Sequence, residues 1–309
     1  MQEAARPRGA ILALVPLLGL LWGFNWPAVR IALDEIAPWT LRAAGMLCAG
    51  LFLIALALAT GRSLRVPRRQ WLQLFVTGVL SIAAFNVLLA FAQLMAPTSR
   101  IAIVTFTMPL WAALFASVLL KEVLDSNRLL GLALGLAGLV ALGWPLVAAG
   151  ELSAGLLLGL IAGMSWAAGT VLLKRFPIDA PAMTIAAWQL LLGGICASLG
   201  MLAFEGLPEM RPLQTDTVLA FAYHVLFAQA LAYFLWFEVL PRLPAAAASM
   251  GTLMVPAVGV FGSMIFLGER PAATDWLGLL LVLAAAATIL LKPRPIRAEV
   301  KIKADSRAR

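Results

Sequence analysis

The sequence PAAAASMGTLMVPAVGVFGSMIFLGERPAATDWLGLLL, residues 244–281, decides the fold because a related copy stands 147 residues earlier. The first copy is PTSRIAIVTFTMPLWAALFASVLLKEVLDSNRLLGLAL, residues 97–134. The informative matches are Pro97/Pro244, Thr105/Thr252, Pro109/Pro256, Glu122/Glu269 and Gly131/Gly278. Two prolines, a glutamate and a glycine in one register indicate an internal repeat, whereas matched Leu or Ala means little in so apolar a chain. Each copy is predicted to form a helix with a proline near its middle, a charged turn and a second helix.

The composition predicts that the chain folds in a lipid bilayer rather than in water. Hydrophobic residues make up 62% of it and charged residues 12%, with a mean hydropathy of +0.96. Soluble domains contain about 25% charged residues. The apolar residues come in runs of about 20, which suits α-helices that cross a bilayer, and the short alternating segments of a β-barrel are not seen. We therefore expect an all-α integral membrane protein.

Ten apolar runs can be counted, and we call them segments 1 to 10. They cover residues 10–30, 37–60, 71–94, 100–120, 129–147, 152–173, 181–204, 218–240, 245–267 and 274–291. The repeat divides them into a first five-helix copy, residues 1–149, and a second, residues 150–292, followed by a basic tail, residues 293–309. Segments 1 and 6 correspond at an offset of 140, which pairs Trp26 with Trp166.

The distribution of Lys and Arg predicts the orientation. With the N-terminus inside, 18 of these residues lie on the inner face and four on the outer face, so both termini are expected in the cytoplasm. The net charge of +8 then reflects topology, and no nucleic-acid partner is expected. Because five crossings is an odd number, the second copy must be inverted relative to the first. Inverted repeats place an inner and an outer gate around one central site.

At this point the residues resemble a known family. Trp22-Gly23-Phe24-Asn25, the Leu41-Arg42 and Trp188-Gln189 pairs, and the repeated Pro…Pro…Glu block resemble the ten-helix EamA branch of the drug/metabolite transporter superfamily. Gly268-Glu269-Arg270 is similar to that family's Gly-Glu-Arg turn, and Lys121-Glu122-Val123 departs from it at both flanks. The resemblance covers about residues 10–292. It implies a carrier whose central cavity is lined by helices 1, 3, 4, 6, 8 and 9, and similar members export amino acids, aromatic ones included, and other small metabolites.

Polar residues inside the membrane are the first candidates for the solute site, since each is costly unless it faces protein or water. We expect Asn25, Asn86, Ser165, His224 and Tyr233 to line the cavity. In the repeat register Asn25 falls on Ser165 and Asn86 on Tyr233. Hydrogen bonding between helices is the alternative for each of them. His224, the only histidine, suits either a structural hydrogen bond or proton sensing.

Aromatic residues deep in the segments are the second group of candidates. Those expected at the cavity are Trp22, Trp26, Phe85, Phe106 and Trp166, although most of them could simply pack against neighbouring helices. Aromatic faces beside a few hydrogen-bonding groups suit a flat or amphipathic organic solute.

Prolines and charges inside or at the ends of segments have competing interpretations. Pro109 and Pro256 are predicted to be hinges, with a static packing bend as the alternative. Arg42 is expected to extend to the outer surface or to pair with Asp34 or Glu35, while binding a substrate carboxylate stays open. Glu122 and Glu269 are each expected to pair with a nearby base and close a turn.

The missing motifs limit the mechanism. The chain has no Walker loop, and its one His and two Cys do not make a standard structural zinc site, so no cofactor or metal is expected. With no acid near the midplane, we expect facilitated diffusion or exchange, with proton antiport as the alternative. An intramembrane enzyme would need clustered acids or histidines, so no catalytic residue is assigned.

The predicted function is export of small amphipathic metabolites, neutral or aromatic amino acids first, by alternating access. The alternatives are a proton-coupled multidrug or metabolite efflux carrier and a passive channel. Short loops and a compact basic tail fit a bacterial inner membrane. The partners are then a small solute and the lipid bilayer, and the oligomeric state is left open.

Overall fold

Long apolar helices make up most of the chain. The computed structural model describes residues 8–148, 153–209, 211–233, 235 and 245–290. The expected boundary between the copies at residues 149–150, Pro244 and the tail at 293–309 lie outside them. The described residues contain no β-strand, and six of their helices are long and apolar enough to cross a bilayer. Segments 9 and 10 are shorter apolar helices by the same criterion, so the prediction of an all-α membrane protein is confirmed.

The described helices follow the predicted segments to within a few residues, and the end of segment 8 at 236–240 lies outside the described residues. Segment 1 contains α1 (Arg8–Gly23) and α2 (Asn25–Ala32), segment 2 is α3 (Pro38–Ala59), segment 3 contains α4 (Trp71–Gly78) and α5 (Phe85–Met95), segment 4 contains α6 (Thr98–Thr105) and α7 (Met108–Leu119), and segment 5 is α8 (Ser126–Ala148). Segment 6 is α9 (Ala154–Arg175), segment 7 is α10 (Ala182–Phe204), segment 8 begins with α11 (Thr215–Tyr223), segment 9 is α12 (Ala245–Leu267) and segment 10 is α13 (Ala273–Leu290).

Two breaks in the helices follow from proline chemistry. A proline has no N–H to donate to the carbonyl four residues earlier. The residue four before Pro27 is Gly23, where α1 ends, and the residue four before Pro109 is Thr105, where α6 ends. Pro109 therefore lies in the first turn of α7 rather than in the middle of a helix, which corrects the prediction for the first copy. Pro256 does lie inside the continuous helix α12, as expected.

Segments 3 and 8 each contain a stretch of π-helix. These stretches are Val79–Ala84, between α4 and α5, and His224–Leu231, directly after α11. They end at equivalent positions of the two copies in the 147-residue register. A π-turn inserts a residue into the helix, changes the direction of the following side chains and often occurs at functional sites. The sequence pattern contained no sign of either stretch.

Segments 2 and 7 cross each other in antiparallel directions. Trp39 at the start of segment 2 stacks on Phe204 at the end of segment 7, with 5.8 Å between ring centroids. Near their centres, a Cβ atom added to Gly194 would lie 2.7 Å from Leu47 Cγ. Leu47 and Gly194 are equivalent positions of the two copies. Contact between equivalent residues of antiparallel helices is the arrangement expected around a two-fold axis.

Large apolar side chains cover the exterior of the bundle. Leu58, Leu72, Val118 and Ile265 are all more than 60% exposed on the outer faces of different segments. In water such a surface would promote aggregation, whereas in lipid it faces a matching solvent. The apolar exterior therefore agrees with the membrane assignment.

Carboxylates bind the free N–H groups at the starts of two segments. Glu205 accepts hydrogen bonds from the backbone N–H groups of Trp39 and Thr40, at 2.8 Å each. Glu269 accepts hydrogen bonds from the N–H groups of Thr98 and Ser99, at 2.7 and 2.9 Å. The first N–H groups of a helix lack partners within it and attract negative charge. The expectation that Glu269 pairs with a base is thus wrong.

Glu122, the equivalent of Glu269 in the first copy, has different partners. Its carboxylate forms ion pairs with Arg128, at 2.8 Å, and with Lys174. Pairing with nearby bases is what the sequence predicted for it. The contact joins the turn after segment 4 to the beginning of segment 5 and the end of segment 6.

Candidate functional site

Six polar side chains from four segments come together in the half of the bundle that contains the start of segment 2. We call this group the polar cluster. Its members are Asn25 on segment 1, Arg42 on segment 2, Asn86 on segment 3, and His224, Gln229 and Tyr233 on segment 8. All except Asn25 and Tyr233 have less than 9% of their surface exposed. They form a group of polar side chains surrounded by apolar helices.

Arg42 is the centre of the polar cluster. Its side chain is 2% exposed, and Nη1 donates a hydrogen bond to Asn86 Oδ1 at 3.2 Å. Asp34 pairs instead with Arg30, and the carboxylate of Glu35 accepts the N–H of Gln214 at 2.8 Å. The expectation that Arg42 reaches the surface or pairs with Asp34 or Glu35 is therefore wrong. Its position directs the guanidinium toward segments 3 and 8 rather than along the helix to the outside.

The imidazole of His224 joins segments 1 and 8. Its Nδ1 atom lies 2.8 Å from Asn25 Oδ1. Gly45, one turn after Arg42 on segment 2, leaves the space for this ring, since a Cβ atom added there would lie 2.8 Å from His224 Nε2. Arg42 is near enough to interact electrostatically with His224. Two residues predicted separately, Asn25 and His224, are thus direct partners.

Asn86 connects segments 2, 3 and 8. Its Oδ1 accepts hydrogen bonds from Arg42 and, at 3.4 Å, from Gln229 Nε2, while its Nδ2 donates to the carbonyl of Ile82 at 2.9 Å. The Ile82 carbonyl belongs to the π-helical stretch of segment 3. The π-helical stretch therefore orients the Asn86 amide that accepts the hydrogen bond from Arg42.

Tyr233 and Trp22 form the aromatic side of the polar cluster. Their rings meet edge to face with 5.8 Å between centroids. Tyr233 also lies near Arg42. The indole Nε1 of Trp22 donates to the carbonyl of Ala228 at 3.1 Å, within the π-helical stretch of segment 8.

Ser165 is placed differently from its repeat partner Asn25. Its Oγ donates to the carbonyl of Leu80 at 2.8 Å, in the π-helical stretch of segment 3. Segments 1 and 6 thus each send one side chain to a π-helical carbonyl of the opposite copy, but Ser165 does not bond to the polar cluster. The expected symmetric set is only partly assembled, because equivalent positions carry different side chains with different reach.

The other aromatic candidates pack in the apolar core. Trp26 and Phe106 are buried in the largest hydrophobic cluster, and Phe85 and Trp22 pack against it. Gln93 Nε2 donates to the carbonyl of Trp26 at 2.9 Å. Trp166 is half-buried on segment 6, and its carbonyl accepts a hydrogen bond from Thr170.

The break in segment 1 lies against the part of segment 9 that contains Pro256. A Cβ atom added to Gly23 would lie 3.3 Å from the carbonyl oxygen of Val255, the residue before Pro256. Pro256 itself is buried, and Pro109 is half-buried on segment 4. Pro256 thus lies in a helix that borders segment 1, and Pro109 lies in a helix that packs against segment 6. Their role as hinges stays a prediction.

A concave region lies at the other ends of segments 2 and 3, away from the polar cluster. It is a cavity of about 790 Å³ lined by residues of the stretches 63–68 and 178–181 together with Trp71. It is separate from the polar cluster, in which Arg42, Asn86, His224 and Gln229 are buried. In the part of the chain that the structure describes, no three His, Cys, Asp or Glu residues are placed to hold a metal ion.

The chain is similar to known transporters over most of its length. The sequence model of the EamA-like transporter family matches residues 8–144 and 153–291. The uncharacterized transporter YvbV of Bacillus subtilis is 26% identical over 96% of both chains, and the uncharacterized inner membrane transporter YedA of Escherichia coli K12 is 28% identical over 90% of this chain and 92% of its own. A probable amino-acid metabolite efflux pump of Salmonella typhimurium is 25% identical over 88% and 91%. A protein of known crystal structure shares the fold, with a TM-score of 0.63, 23% identity and coverage of 90% of this chain and 97% of that one.

Proposed function

The chain belongs to the EamA-like transporter family, and on that premise we propose that it exports small amphipathic metabolites, neutral or aromatic amino acids, by alternating access. The observation that carries the proposal is the polar cluster, a group of hydrogen-bonding side chains from both copies inside a transporter of this family. The relatives bear transporter names, and the Salmonella protein is named as an amino-acid metabolite efflux pump. These names favour transport over intramembrane catalysis.

The proposed cycle depends on two inverted copies. The antiparallel crossing of segments 2 and 7, with Leu47 against Gly194, supports a two-fold axis in the membrane plane. Segments 5 and 10, the last crossings of the two copies, also pack extensively against each other. With these pairs as a fixed frame, one copy opens a path to the inside and the other a path to the outside.

The moving parts of the cycle are segments 3, 4, 8 and 9. Segment 4 is interrupted before Pro109, segment 9 carries Pro256, and segments 3 and 8 contain the π-helical stretches. Each device leaves backbone groups outside the regular helical pattern, so bending there breaks fewer hydrogen bonds than bending a regular helix. We propose that these four segments pivot at those points while segment pairs 2/7 and 5/10 stay in place.

The proposed selective step is exchange of the solute's hydration shell for protein groups. Trp22 and Tyr233 offer an apolar face, and Asn25, Asn86 and Gln229 offer amide groups beside it. Such a mixture suits a solute with one apolar and one polar end. Because no carboxylate belongs to the polar cluster, we propose exchange or facilitated diffusion, in an inner membrane and with both termini in the cytoplasm.

Counterflow in proteoliposomes tests the proposal. Vesicles containing the purified chain are loaded with unlabelled L-phenylalanine or L-leucine, and uptake of the labelled amino acid is followed. A carrier gives transient accumulation above equilibrium, whereas a channel or protein-free vesicles do not. Competition by other amino acids, nucleosides and quaternary amines then identifies the solute class. If quaternary amines compete and amino acids fail, the proposed amino-acid function is wrong and multidrug efflux is favoured.

A further inference from the structure

Arg42 is a buried charge without a counter-ion among the described residues. It takes part in none of the ion pairs there, and its hydrogen-bond acceptor is the neutral amide of Asn86. An arginine keeps its charge in proteins, and a buried charge is expensive unless an opposite charge and several hydrogen bonds accompany it. Without a further partner, the burial of this charge inside the membrane would destabilise the folded protein.

Three polar atoms in or near this guanidinium have no hydrogen-bond partner among the described residues. They are Arg42 Nε, His224 Nε2 and Gln229 Oε1, all shielded from solvent. Most buried polar atoms in proteins do have partners, so unpaired atoms on two facing segments are available to bind a polar solute. These atoms belong to one group, because Gln229 and Arg42 share the Oδ1 atom of Asn86, and His224 Nε2 lies against Gly45, one turn after Arg42 on segment 2.

The unpaired atoms have complementary chemistry. The guanidinium supplies only donors, and its planar fork matches a carboxylate. Gln229 Oε1 is an acceptor. In the tautomer that donates from Nδ1 to Asn25 Oδ1, His224 Nε2 is an acceptor as well. One donor fork beside two acceptors matches a carboxylate and an ammonium on the same small molecule.

We propose that Arg42 binds the carboxylate of the transported solute, and that Gln229 and His224 receive its ammonium group. This inference rests on the proposed function and narrows it to solutes with a free carboxylate, α-amino acids above all. In the structure described here the polar cluster is closed, since Arg42 and His224 are buried and Gly45 lies directly against the imidazole. The solute enters when segments 2 and 8 separate, and it then takes over the guanidinium from Asn86.

The test uses counterflow of labelled L-phenylalanine and L-leucine with competitors that differ at one end. For phenylalanine the competitors are 3-phenylpropionate, which keeps the carboxylate, and L-phenylalaninamide and phenethylamine, which lack it. For leucine they are 4-methylpentanoate, leucinamide and isoamylamine. We expect the compounds with a carboxylate to compete at least about tenfold better than the amide and the amine.

The matched variants are Arg42→Gln, Arg42→Lys and Arg30→Gln. We expect Arg42→Gln to lower exchange at least about tenfold, since an anionic group would lose its buried partner, and Arg42→Lys to restore part of it. Gln189, the equivalent of Arg42 in segment 7, shows that the fold accommodates glutamine at this place. Arg30 is in a partly exposed ion pair with Asp34, so Arg30→Gln should leave exchange unchanged.

The outcomes separate this inference from the proposed function. If the amide and amine compete as well as the amino acid, the carboxylate assignment is overturned and the transporter stands. If Arg42→Gln lowers the thermal midpoint and weakens every competitor equally, with or without a carboxylate, Arg42 is structural and the inference again fails. If neither amino acid nor any competitor is exchanged, both proposals are overturned. If Arg42→Gln has a normal midpoint and the carboxylate competitors alone lose their advantage over the amides and amines, the inference is supported.

Discussion

Lys121 and Gly268 occupy the same left-handed backbone position in the two copies, with φ angles of 54° and 67°. Each precedes the glutamate of its repeat, and the N–H of that glutamate donates to the carbonyl of Ala116 in the first copy and of Ser263 in the second. The two turns are therefore one structure built from different residues. Glycine adopts this conformation without strain, whereas a lysine is strained by about 1–2 kcal/mol.

We expect Lys121→Gly to raise the free energy of unfolding by about 0.5 kcal/mol, because relief of strain exceeds the added entropy of the unfolded chain. Gly268→Ala should lower it by about 1 kcal/mol, since only the φ angle opposes the methyl group and no atom lies within 4 Å of it. Thermal unfolding of the purified protein in detergent measures both. Equal midpoints for the two variants would show that the turn conformation is not the determinant.

A methyl group at position 45 should disturb the polar cluster. Gly45→Ala places a Cβ atom 2.8 Å from His224 Nε2 and 3.0 Å from Cδ2, so the imidazole must move away from Asn25. Overpacking of this kind destabilises by about 1–3 kcal/mol, and we also expect slower exchange. The matched control is Gly143→Ala on segment 5, where nothing lies within 4 Å. A Gly45→Ala protein with normal stability and exchange would contradict the close packing of segments 2 and 8.

Replacement of Pro256 by alanine should leave the fold intact and slow transport. Alanine restores an N–H that can donate to the carbonyl of Thr252, so segment 9 becomes a more regular and stiffer helix. The readout is the initial rate of counterflow, together with the thermal midpoint. Pro145→Ala serves as the control, because Pro145 also lies inside a helix but is exposed on segment 5. Equal rates for Pro256→Ala and the unmodified chain would remove the hinge role.

Acid should weaken the contact between segments 4 and 6. The hydrogen bond from Lys174 is the largest cause that lowers the pKa of Glu122 below its ordinary value of 4.5, and Arg128 contributes in the same direction. A carboxylate with a lowered folded-state pKa contributes stability that is fully present above the unfolded pKa. That stability is lost as the pH falls from about 4.5 through the lower folded pKa.

The measurement is the thermal midpoint as a function of pH for the unmodified chain and for Glu122→Gln. The partly exposed position limits the expected difference to about 1 kcal/mol. The two curves should differ above pH 4.5 and converge in acid, since 4.5 is the ordinary pKa of this group. Asp34→Asn, which removes a more exposed carboxylate, is the control. A constant difference at every pH would mean that the glutamine acts through shape and not through lost charge.

The sequence predicted the helices well and the side-chain partners unevenly. Runs of apolar residues are a direct consequence of lipid solvation, so segment ends such as those of Pro38–Ala59 could be placed within a few residues. The breaks before Pro27 and Pro109 agree with a missing N–H. Three other prolines, Pro16, Pro145 and Pro256, lie inside continuous helices, so proline alone could not have located the breaks. Asn25, Asn86, His224 and Tyr233 were chosen as candidates because polarity in lipid needs a partner. Their role in binding a solute stays a prediction.

Other features of the site depend on packing that no local pattern encodes. The π-helical stretches in segments 3 and 8 consist of ordinary apolar residues, and only neighbouring helices decide where the extra residue is accommodated. The direction of Arg42 was mistaken because a long side chain near a helix end can reach either water or the bundle interior. Its position as the one basic residue inside a segment was nevertheless a usable signal.

The buried guanidinium also bears on how the chain is assembled during synthesis. On insertion scales an arginine at the centre of a helix opposes membrane entry by about 2.5–3.5 kcal/mol, and less near the end. When segment 2 leaves the translocon, Asn86 on segment 3 has not yet followed. We therefore expect the two crossings to integrate as a hairpin, and a nascent chain truncated after Ala59 to insert less efficiently than one extended to Met95.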